Sequence, residues 1–261
     1  MNHRQNIHIL AQVFATADRL GAVIPATLVT EYGKLSRLAE QVQALDLPND
    51  IPAAVLAALE AGNNPATDPG VQVAAVGATV GQHASGIETA LALRAFAFLN
   101  ENIDRLMEPF GKPFDAAAKT LRAAATRLGD VDLNDTSAVL ARGGDAAKVW
   151  ADAHSADKTI TDIHQLGQTL KVLLSGGSQI DPRHQALTIA DIPPTVFVDQ
   201  AITGWLTPWE VVRRGYPFSL ATPATFRTRV AAIQSEQASR QQAAERAFRE
   251  GYRRTHGVVV A

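Results

Sequence analysis

Apolar residues recur along this chain at three- and four-residue intervals, and they predict one helix after another. Ile9, Leu10, Val13, Phe14 and Ala17 share a face of a first helix over about 5–20, with Gly21 just past its end. Leu28, Tyr32, Leu35, Leu38, Val42 and Leu45 line a second helix that starts near Pro25. A short third helix takes Asp50 as its cap, carries Pro52 in its first turn and stops at Gly62. Asn63-Asn-Pro-Ala-Thr-Asp-Pro-Gly70 is a loop.

A long helix follows, over about 71–107, with glycines at 77, 81 and 86. Each such glycine costs on the order of 1 kcal/mol relative to alanine, which predicts close helix approach or a break near Ser85-Gly86. Pro109 to Pro113 turns the chain into an alanine-rich helix over 114–128. An acidic, irregular stretch then spans 129–144, with a short helix at 136–142. The best-defined helix runs over 145–174, where Val149, Ala153, Ala156, Ile160, Ile163, Gly167, Leu170 and Leu174 form a seam for a partner helix. Ser175-Gly-Gly-Ser178 ends it.

The stretch 179–223 differs in kind, with prolines and β-branched clusters such as Thr195-Val-Phe-Val198. It predicts irregular chain with short helices and at most a brief strand. One of those helices is marked by a capping box, Thr207 with Pro208 and Glu210. Thr222-Pro223 opens a terminal helix that continues to about Arg254. The expected fold is therefore all-α: a bundled or elongated helical body over 1–175, an irregular connecting segment over 176–222, and a basic helix with a short tail over 223–261.

Composition sharpens this picture. Alanine fills 46 of the 261 positions, so the helices can approach closely while the bulky core stays thin. Trp, Tyr and Phe make up only 6% of the chain, which disfavours a sandwich or barrel built on aromatic cross-strand pairs. There is no cysteine, which excludes disulfides, thiolate metal sites and cysteine nucleophiles. No secretory signal is read in Met1 to Phe14, and polar residues interrupt the most apolar window, 71–99, so no membrane span is expected. The expected location is the cytoplasm or an assembled particle.

Charge is split along the chain. Residues 1–212 carry 15 basic and 23 acidic side chains, whereas 213–261 carry 9 basic and 3 acidic. The basic end can meet an acidic surface of another subunit, or phosphates, or only complement its own helix dipole. The candidate interaction surface comprises Trp205, Trp209, Arg213, Arg214, Tyr216, Arg227, Arg229, Arg240, Arg246, Arg249, Arg253 and Arg254. Aromatics and arginine are the residue types that interfaces favour, although the aromatic cluster of Trp205, Trp209 and Tyr216-Pro-Phe218 is expected first to pack between the helical body and the terminal helix.

Patterns for chemistry are weak by comparison. His154, Asp157, Thr161 and His164 share a helix face beside Trp150, but ten residues of helix separate the two histidines by about 15 Å, too far for one metal. Glu101, Asp104, Arg105 and Glu108 make a charged helix face without a Glu-x-x-His pair. Asp130, Asp132 and Asp135 resemble the start of a calcium loop but lack its central glycine and closing glutamate, so helix caps are expected. Ser175 and Ser178 sit outside any Gly-x-Ser-x-Gly pattern. No cofactor or metal is implied.

The sequence points first to a non-enzymatic structural or assembly protein that oligomerises or joins a larger assembly, with a viral particle, connector or scaffold as one natural home. A nucleic-acid-binding module using the arginine-rich helix is the alternative. An enzyme whose site gathers residues distant in sequence is the third reading.

Overall fold

Local start and stop signals set most of the helix boundaries. The computed structural model describes residues 3–43, 49–170, 181–200, 202 and 206–256, with the backbone alone at 3–5, 43, 82, 84, 182, 183 and 253–256. It is 78% helical, with 10 helices and no strand among the described residues, so the fold is all-α. The helices are α1 (His3–Arg19), α2 (Ala26–Gln43), α3 (Ile51–Glu60), α4 (Pro69–Met107) and α5 (Gly111–Leu128). They continue as α6 (Thr136–Leu140), α7 (Ala146–Thr169), α8 (Pro194–Asp199), α9 (Pro208–Arg213) and α10 (Pro223–His256). Two 3-10 segments, Glu108–Phe110 and Pro182–Thr188, complete the regular structure of the described residues.

The caps behave as their chemistry dictates. Asp50 accepts the Ala53 amide at the start of α3, and Gly62 follows its end with φ of 76°, a conformation open to glycine. Asp135 caps α6 through the Ala138 amide, and Asp132 bonds the Asn134 amide, so two of the three loop aspartates serve turns. Thr207 and Glu210 close a reciprocal capping box on α9. Asp145 stands at the start of α7 but turns its carboxylate to Arg127, 2.9 Å away.

Two local expectations are corrected. The long helix α4 runs unbroken through Ser85-Gly86, and a Cβ at Gly81 or Gly86 would meet nothing within 4 Å among the described residues, so neither glycine marks a close approach there, whereas Gly77 is buried. Helix α5 does not wait for Phe114: Glu108–Phe110 takes 3-10 geometry and α5 starts at Gly111, ahead of Pro113. The short helices expected in 179–223 are present: Thr195-Val-Phe-Val198 lies in α8, where Pro194 presets the first helical φ despite the β-branching. Extended pairing occurs instead at Ala190 and Phe218, where Ser219 N donates to Ile189 O and Asp191 N to Pro217 O, each at 2.9 Å.

The contacts divide the chain into two compact units, Met1–Ala15 with Ile24–Asn102 and Thr16–Val23 with Ile103–Ala261. The first unit has a thin core. Leu10 and Val13 of α1, Leu28 and Leu35 of α2, and Leu91 and Leu99 of α4 are its bulky buried members, and alanines fill much of the remainder. Phe14 stacks on Tyr32 with ring centres 4.3 Å apart, and buried Asn6 donates to Ala92 O at 3.0 Å. Helix α3, Ile-Pro-Ala-Ala-Val-Leu-Ala-Ala-Leu-Glu, is apolar almost all round, a composition that ordinarily means burial. Only Ala58 is buried, while Leu56 and Leu59 are each 58% exposed.

The second unit is built on α5 against α7. Phe114, Ala117, Ala118, Leu121, Ala124 and Leu128 form the buried face of α5. The expected seam on α7 is buried from Val149 through Leu170, and α5 of the same chain is the helix that lies against it. Its last member, Leu174, and the Ser175–Ser178 stop lie outside the described residues.

Candidate interaction surface

Polar side chains of α7 hold the irregular segments in place. Trp150 Nε1 donates to Leu133 O at 2.7 Å, and His154 Nε2 lies 3.0 Å from the same oxygen. A carbonyl only accepts, so His154 carries a hydrogen on Nε2. Asp157 accepts the Trp209 amide at 3.1 Å and is also bonded by Thr161. Burial pushes its carboxyl above the ordinary aspartate value, with those two bonds and His154 opposing the rise. Trp209 is buried, and its Nε1 donates to Val131 O at 2.9 Å. Two indoles and an imidazole thus pin the acidic 131–133 backbone between α7 and α9.

Further along α7, His164 is 6% exposed and meets Thr188 Oγ1 at 2.8 Å. The Thr188 hydroxyl gives its hydrogen to Gln185 O at 2.7 Å, so His164 Nδ1 is the donor in the pair. Burial lowers the His164 pKa from 6.5 to about 4. The unfolded chain therefore takes up a proton that the folded chain refuses as pH falls from 6.5 toward 4, and stability drops across that window. The loss attributable to this ring is about 3 kcal/mol. Urea titrations at both ends of the window are expected to show it in the wild type and not in His164→Gln; the raised Asp157 carboxyl acts with the opposite sign in both proteins, so the difference isolates His164.

The candidate surface divides under this geometry. Trp209, Tyr216 and Arg229 leave it: all three turn inward. Tyr216 donates its hydroxyl hydrogen to Gln200 Oε1, and its ring is buried. The Arg229 side chain is 9% exposed and forks onto Leu187 O at 2.7 Å, Ser219 O at 3.1 Å, Ala190 O at 3.2 Å and Ser219 Oγ at 2.7 Å. Asp191 lies 3.6 Å away, and burial pulls the guanidinium below the ordinary arginine value while that carboxylate opposes the shift. Arg229 is thus the pin that ties α10 to the 187–191 and 217–221 backbone, a role that nothing in the local sequence signals.

Of the other arginines whose side chains are described, Arg240 is half-buried and the rest are exposed. Arg213 pairs with Asp130 at 3.8 Å, and Arg214 is exposed. Arg227 is exposed and folds back onto Pro223 O at 3.3 Å. Arg240 ion-pairs with Asp199 of α8 and with Glu236, which raises its pKa further. Past Arg240 every residue from 241 to 252 is exposed, Arg246 and Arg249 among them. Phe248 is 74% exposed and Tyr252 54%. Arg253 and Arg254 continue α10, with side chains outside the described set, and Trp205 lies outside the described residues altogether.

An open groove of about 600 Å³ runs beside α5 and α7, with Ala116, Ala117 and Ala156 among its lining residues. Its ionisable members are Arg19, engaged with Asp162, and Asp152. The hydroxyls of Thr120 and Thr159 donate to carbonyls of their own helices. Among the described residues no group of three His, Asp or Glu side chains is placed to hold a metal, and no helix is long and apolar enough to cross a membrane. No protein-family model, curated protein or solved structure matches the chain.

Proposed function

We propose that this chain is a non-enzymatic structural protein that assembles with further copies or other subunits, in the cytoplasm or within a particle. The outer part of α10 carries the reading. Residues 241–252 are exposed at every position, yet they present Phe248 and Tyr252 between arginines. Water gives such a helix little reason to persist: most helical stability in proteins comes from packing an apolar face. Aromatic and arginine side chains on a protruding helix are the groups that interface hot spots favour. The exposed apolar residues of α3 add a second surface of the same kind.

The native mass in solution tests this. The wild type is expected to exceed its 27.8 kDa chain mass and to grow with concentration. Phe248→Asp is expected to weaken association about tenfold or more, the scale of a lost hot-spot side chain. A wild type that stays monomeric over a wide concentration range overturns the reading. A particle that loses its mass on nuclease treatment reassigns the exposed arginines to phosphates.

A further inference from the structure

The two helices with exposed apolar residues lie in stretches of opposite charge along the sequence. From 38 to 93 the sequence contains no lysine or arginine, while it contains Glu40, Asp46, Asp50, Glu60, Asp68 and Glu88. Helix α3 sits in the middle of that stretch, with Asp50 at its cap and Glu60 as its last residue. The outer part of α10 has the reverse character, with Arg246, Arg249, Arg253 and Arg254 against Glu245 and Glu250. One surface offers Leu56 and Leu59, one helical turn apart; the other offers Phe248 and Tyr252, also one turn apart.

We propose that the outer part of α10 in one copy docks on the exposed face of α3 in a second copy, resting on the assembly reading above. Leu56 and Leu59 receive the Phe248 ring, and Arg246 and Arg249 lie toward Asp50 and Glu60 at the ends of α3. Two basic arms would repel one another, as would two acidic α3 surfaces, so unlike surfaces meet and like ones do not. Each copy carries one arm and one α3 face, so the contact is head-to-tail: it propagates into a ring or an open chain instead of stopping at a dimer. Part of the attraction is between exposed charges, so raising salt weakens it.

Complementation between two full-length variants tests this. Phe248→Asp removes the arm's anchor and leaves α3 intact; Leu56→Asp/Leu59→Asp removes the α3 face and leaves the arm intact. All three positions are exposed, so folding is expected to hold and is checked by circular dichroism. The wild type is expected to sediment beyond a dimer. Each variant alone is expected at 27.8 kDa, and their mixture at twice that mass, with one copy of each and no further growth. An associating wild type whose two variants fail to pair overturns the head-to-tail contact and leaves the assembly reading standing, as does a Leu56→Asp/Leu59→Asp protein that still associates with itself. A monomeric wild type overturns both.

Discussion

Replacing Arg229 with methionine is expected to destabilise the second unit by about 3–5 kcal/mol, measured by urea denaturation followed by circular dichroism. The methionine stem fills similar space, so the loss is electrostatic in origin. The guanidinium serves three backbone carbonyls and the Ser219 hydroxyl within 3.2 Å, and bonds from a charged donor are stronger than neutral ones. Removing the fork leaves those carbonyls without their donor, and Leu187 and Ala190 are fully buried residues. Lysine does not rescue it: an ammonium cannot reproduce the planar fork. A Met variant as stable as the wild type would show that the carbonyls find other donors and that Arg229 is no pin.

Trp209→Ala is expected to cost about 3–5 kcal/mol, the range for truncating a buried aromatic side chain. The loss has two parts. The cavity forfeits the ring's packing, and Val131 O loses the Nε1 hydrogen bond. Trp209→Phe separates them, because it keeps most of the apolar volume and sacrifices the bond; its expected cost is about 1–3 kcal/mol, the scale of one unsatisfied buried acceptor. Both follow from urea midpoints. The Asp157 contact uses the Trp209 backbone amide, so neither substitution removes it. Equal midpoints for the Ala variant and the wild type would return Trp209 to the docking surface.

What the sequence reveals here is what is local. The Thr207–Glu210 capping box, the Asp50 cap and the Val149–Leu170 seam are read correctly because each is decided within a few residues by hydrogen-bond chemistry or helical periodicity. Arg229 and Arg249 show the limit. They stand on one helix, yet the first is buried and the second exposed. The difference is made by carbonyls 10 to 42 residues away, which no periodicity encodes. The same holds for His154, Asp157 and His164. Their spacing places them on one face of α7, and only the fold shows that the face holds the 131–133, 188 and 209 backbone and side chains. Helix α3 reverses the usual error: its pattern calls for burial, and among the described residues it buries only Ala58.

Amide hydrogen exchange across 241–252, followed against protein concentration, is the most direct test of the claim that α10 extends in order to be covered. A helix exposed on every side opens locally at little cost and exchanges fast, whereas one packed beneath a neighbour takes on the stability of the contact. The protection of these amides is expected to rise with concentration, together with that of the α3 amides. Fast exchange at every concentration would contradict the account, because it would make the outer part of α10 a solvated end and not a docking arm.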